Sequence, residues 1–125
     1  MNAWRAYETV QLDTTAPQQV VAMVLERALV HIHRAEAAIA DRRPADAHDS
    51  LQRAQMAVTA LRTALSPDVF PELADQLQRL YSHVLGILAD ANMRKDASQL
   101  PGACQVLEPL REAFAEVARR EVTRP

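Results

Sequence analysis

Residues 69–95 read VFPELADQLQRLYSHVLGILADANMRK, and the placing of their apolar residues decides the fold. Phe70, Leu73, Leu77, Leu80, Val84, Ile87 and Ala91 recur at alternating steps of three and four, so they share one face of an α-helix. Three other stretches repeat the pattern: Val21 to Ile39, Ala47 to Leu65, and Leu100 to Val117. Helices are expected at about 17–42, 45–65, 69–95 and 98–120, with a tail at 121–125. Connections this short between long helices favour antiparallel neighbours. The expected class is therefore all-α, an up-down-up-down four-helix bundle.

Local signals punctuate these helices. Thr15 and Gln18 have capping-box spacing, and Pro17 suits a first turn. Pro44 forces a new start after Arg42 and Arg43, and Ser66-Pro67-Asp68 breaks the chain before the third helix. Ser98 is the expected cap of the fourth helix. Pro101 falls in its first turn, where a missing donor is harmless, whereas Pro109 is interior and predicts a kink.

Residues 1–16 lack the helical repeat yet carry Trp4, Tyr7 and Val10. They are expected to form an extended or short helical cap segment that covers apolar surface. On the third helix a second row, Ala74, Tyr81, Leu85 and Leu88, ends at Asn92 and lies about 100° from the first. The second helix offers Met56, Ala57, Ala60 and Ala64 on a neighbouring flank. One reading makes these broad core positions. The other makes them a groove for an amphipathic partner helix, with small residues allowing close approach and Asn92 able to bond a peptide backbone.

Composition removes whole classes of function. The chain has 125 residues and a formal net charge of −2, with both signs interleaved, so no basic face for nucleic acid is expected. Two glycines leave no phosphate-binding loop, and the single cysteine, Cys104, rules out an internal disulfide. Charges interrupt every apolar run, so no membrane insertion is expected. The single cysteine and an N-terminus without a basic region or small-residue cleavage site make a reducing cytosolic setting the expectation. His31 and His33 are two apart on a helix and point to different sides, while His48 and His83 stand alone, so no metal or cofactor is expected. Glu112 and Glu116 read as a solvated face, and no catalytic centre emerges. A histidine phosphotransfer bundle is the enzyme-like alternative. It requires an outward histidine with a lysine nearby, and Lys95 is the only lysine.

Several short motifs, in order, resemble the flagellar secretion chaperone family FliS. The family's opening Asn-Pro-Tyr-x-x-Tyr is similar to Asn2-Ala3-Trp4-Arg5-Ala6-Tyr7, and its Thr-Ala-Ser-Pro to Thr14-Thr15-Ala16-Pro17. Met23-Val24-Leu25-Glu26-Arg27-Ala28, Leu80-Tyr81, Ala91-Asn92 followed by Met93-Arg94-Lys95-Asp96, and Leu110-Arg111-Glu112-Ala113-Phe114 match in turn. Leu25-Glu26-Arg27 and Ala16 depart from the family pattern.

The resemblance implies a non-enzymatic cytosolic chaperone. It would bind the disordered C-terminal segment of flagellin, prevent premature polymerisation and keep the client competent for type III export. Client contacts would then fall on Tyr7, Met56, Ala57, Ala60, Ala64, Tyr81, Leu85, Leu88 and Asn92. Export-gate components or other assembly factors remain open as further partners.

Overall fold

The computed structural model describes residues 17–66, 68 and 71–122, Val122 by its backbone alone. Four helices account for most of them: α1 (Gln18–Ala40), α2 (Pro44–Thr63), α3 (Pro71–Arg94) and α4 (Leu100–Val122). There is no strand among the described residues. The four helices form a bundle in which α1 packs on both α2 and α4, α2 also packs on α3, and of these neighbouring pairs α3 and α4 meet least. The expected cap segment and the Thr15 capping interaction lie outside the described residues.

Each helix turns one apolar row inward. Leu25, Ala28, Ile32 and Ala35 come from α1, Leu51, Ala54 and Val58 from α2, and Leu100, Ala103, Leu107 and Phe114 from α4, all essentially inaccessible. The rows on α2 and α4 follow the sequence pattern closely. On α1, Val21, Ala28, Ile32 and Ala35 are buried as expected, but Leu25 and Ala38 are buried while Val24 and Ile39 of the expected row are half-buried. The row on α3 departs further. Its buried residues are Ala74, Leu77, Tyr81, Val84, Leu88 and Ala91, while Leu80 is 38% exposed and Leu73 and Ile87 are only half-buried. The helix is thus rotated so that much of the expected second row faces the core.

The helix ends show how the chain turns without glycine. Arg42 adopts a left-handed φ of 57°, and the N–H of Arg43 donates to the carbonyl of Ala38 at 2.8 Å, closing α1. Arg43 then pairs with Asp46 in the first turn of α2 at 2.9 Å. Lys95 repeats the device at the end of α3, with φ 51° and the N–H of Asp96 donating to the Ala91 carbonyl at 3.2 Å. A carbon branch costs about 1 kcal/mol in this conformation. Satisfying carbonyls that a helix end otherwise orphans compensates it.

Three boundaries differ from expectation. Pro17 is the residue before α1 rather than its first, its carbonyl accepting from Val21 at 3.0 Å. The Asp96 carboxylate, not Ser98, leads into α4: its Oδ1 accepts the Ser98 N–H at 2.9 Å, a tighter local turn than a serine cap provides. α2 ends at Thr63, with Ala64 as its C-cap, rather than near Leu65. α3 is described from Pro71 onward, and residues 69 and 70 lie outside the described residues. Pro109 lies within α4, exposed, with helix on both sides of it.

Candidate functional site

The α2 flank and α3 meet along two cross-links. Near one end, Arg62 donates to Ser82 Oγ at 3.3 Å. Near the other, His48 Nδ1 lies 3.0 Å from Asn92 Nδ2, and Lys95 Nζ donates to Asn92 Oδ1 at 2.7 Å. Lys95 also donates to the Asn92 carbonyl. Asn92 is therefore engaged within the chain, and a peptide that used its amide would have to displace His48 or Lys95.

The candidate groove residues divide by burial. Met56 is 67% exposed, Ala60 is exposed, and Ala57, Ala64 and Leu85 are half-buried. Tyr81 and Leu88 are not surface groups: they are 1% and 0% exposed, and both belong to the main core cluster. The expectation that they form a stripe the core can spare is corrected by this burial. Burial also pushes the Tyr81 phenol well above its ordinary pKa, as water is unavailable to solvate a phenolate. Tyr7, Trp4 and Val10 lie outside the described residues.

Tyr81 nevertheless joins Ala60 and Ala64 in one place. Together with Val20, Val24, Leu65 and Phe114 they line an almost wholly apolar cavity of 160 Å³ where the four helices converge. Ala60 and Ala64 contribute only small side chains to its α2 wall, opposite the larger Tyr81 and Phe114 among its lining residues. Such a cavity accepts a large apolar side chain with few polar groups to desolvate. Met56 lies apart from it, in a shallow surface depression with Gln52, Gln55, Thr59 and Ala60. Ala60 borders both.

A second apolar groove was not anticipated. Gln19, Ala22, Met23 and Glu26 of α1 face Arg111, Ala115, Ala118 and Arg119 of α4 across a 460 Å³ depression. Met23 is 58% exposed on its rim. The signal in the sequence was a set of small residues, Ala22, Ala115 and Ala118, one step off the core rows. Nothing in periodicity says that two such rows come to lie opposite each other. Arg111 is held in its charged form chiefly by its hydrogen bond to Glu108, which raises its pKa further.

The histidines do not act as one group. His31 is buried, and its Nδ1 has no hydrogen-bond partner among the described residues. Its pKa is lowered, first by burial and then by Arg27, Arg34 and Arg53. His48 is tied to Asn92, and His33 Nδ1 lies 3.0 Å from Glu36 Oε1. The one metal-competent group among the described residues combines His33 and Glu36 of α1 with Cys104 of α4. Sequence reasoning missed it because it compared histidines within one helix, whereas the third donor comes from another. No helix of the described chain is long and apolar enough to cross a membrane.

These features define a helical bundle with two apolar hollows that lie between its helices. The family model for flagellar protein FliS matches residues 1–121, and the chain belongs to that family. A relative named flagellar secretion chaperone FliS, from Vibrio cholerae serotype O1 (strain ATCC 39315 / El Tor Inaba N16961), is 22% identical over 107 residues, 86% of this chain and 79% of the relative.

Proposed function

We propose that the chain is a cytosolic flagellar export chaperone whose client is the disordered C-terminal segment of flagellin. Holding that segment would prevent premature polymerisation and keep the client competent for type III secretion. The bundle would be antiparallel, up-down-up-down, and would act without catalysis. Family membership supports the export role, as does the relative named a secretion chaperone. The observation that carries the binding mode is the apolar cavity beneath the Ala60 and Ala64 side of α2, with Tyr81 at its wall.

A disordered client must be ordered as it docks. Burying a large apolar side chain contributes about 1.5 to 3 kcal/mol, so a few anchors offset that entropy. In this reading Met56, Ala57, Ala60, Ala64 and Leu85 touch the client, while Tyr81 and Leu88 act from within by fixing the shape of α3. Asn92 contributes once its amide is released from His48. Flagellar export-gate components are candidate further partners.

Calorimetric titration with the C-terminal segment of flagellin from the same organism tests the reading. Saturable one-to-one binding with a negative heat-capacity change is expected, and Ala60→Asp should weaken it strongly while leaving helicity intact. Absence of binding by the full chain and by a chain lacking residues 1 to 16 would overturn it. Tighter binding on that deletion is the outcome expected of an N-terminal cap that competes for the groove through Trp4, Tyr7 and Val10. Selective loss on deletion would instead put Tyr7 in the client site.

A further inference from the structure

Far along the α1–α4 seam from the Met23 groove, three different donor types converge. His33 and Glu36 stand one helical turn apart on α1, and Cys104 reaches them from the beginning of α4. The imidazole nitrogen, carboxylate oxygen and thiol sulfur all lie within 4.8 Å of one another. In a tetrahedral zinc site with bonds of about 2.0 to 2.3 Å, ligand atoms sit roughly 3.3 to 3.8 Å apart. Rotation about the side-chain bonds of Glu36 and His33 covers the difference, because neither is locked in the core: His33 is exposed and Glu36 half-buried.

We propose that His33, Glu36 and Cys104 form a binding site for a zinc-like divalent transition-metal ion, which clamps α1 to α4. The donor set selects the ion. Thiolate and imidazole favour zinc and its neighbours over magnesium or calcium, which require oxygen ligands. Charge also balances, since a neutral imidazole, a carboxylate and a thiolate together bring two negative charges to a doubly positive ion. A water molecule completes the fourth position.

Binding must remove the thiol proton. Burial, with Glu36 and Glu108 nearby, pushes the Cys104 thiol up to about 11, so the metal-free side chain is protonated at neutral pH. The step is therefore one in which a metal–sulfur bond forms, the S–H bond breaks and one proton is released to solvent, with no change of oxidation state. In return the ion joins two helices whose contact here otherwise rests on packing.

The test is titration of the full, reduced chain with Co2+ and then Zn2+. One equivalent of Co2+ should produce a thiolate-to-metal charge-transfer band in the near ultraviolet, and Zn2+ should abolish it. Cys104→Ala should remove the band. His33→Ala and Glu36→Gln, both at accessible positions, should each weaken binding by more than about tenfold, whereas His83→Ala should match the parent. Zn2+ should raise the melting temperature of the parent and not of the ligand variants. The proposal is overturned by absence of the band, by an affinity unchanged in His33→Ala and Glu36→Gln, or by light scattering that shows the metal species to be a cross-linked dimer.

Discussion

His31 is a buried base whose Nδ1 has no hydrogen-bond partner among the described residues, surrounded by the charges of Arg27, Arg34 and Arg53 and, with opposite sign, Asp49. Its folded pKa lies below the ordinary histidine value of 6.5, so near and below that pH the unfolded chain binds more protons than the folded one. Stability from this group is complete above pH 6.5 and is lost as pH falls towards the folded pKa. His31→Gln should flatten the fall in melting temperature between about pH 7 and 5, where this residue is the buried titrating group. An unchanged slope would show that other groups govern acid sensitivity. Two neighbouring leucines make a sharper contrast. Leu88→Ala should destabilise the fold by about 2 to 5 kcal/mol, as cavity-forming changes do, whereas Leu85→Ala should cost distinctly less. Denaturant unfolding of the two variants measures the difference, and equal losses would contradict the burial assigned to α3.

The element most open to two readings was α3. Its core row and the row anticipated from sequence share Leu77, Val84 and Ala91 and differ by choosing Tyr81 and Leu88 over Leu80 and Ile87. Both rows satisfy steps of three and four. Periodicity fixes that a helix has an apolar face, but its rotation is set by the neighbours it packs on, here α2 and α4. The rows on α2 and α4 were legible because each offers one dominant line of large apolar residues, with mainly small or polar residues beside it. The site was less legible than the helices, because a hollow between elements belongs to no single stretch of chain. The same holds for His33, Glu36 and Cys104, whose sequence separation hides their proximity. One glycine gives α3 a further property. A β-carbon added at Gly86 meets nothing within 4 Å, and the residue is exposed in mid-helix. Gly86→Ala should therefore raise stability by about 0.5 to 1 kcal/mol, read as an upward shift in the denaturation midpoint. A loss would reveal a constraint on the backbone that open space alone does not impose.

For the molecule as a whole, packing is uneven: α1 is gripped by both α2 and α4, while α3 and α4, though consecutive in sequence, share the thinnest seam. The first turns of α1 and the last turns of α4 also face each other, as Gln19 and Arg119 do across one groove. Order along the chain and adjacency in space are thus partly uncoupled. A circular permutant follows from this: the backbone opened between Ser98 and Gln99, with the end of α4 spliced to the start of α1 by a short flexible linker. Such a permutant should recover the parent's helicity and a single cooperative melt, with α4 and α1 now forming a hairpin of their own.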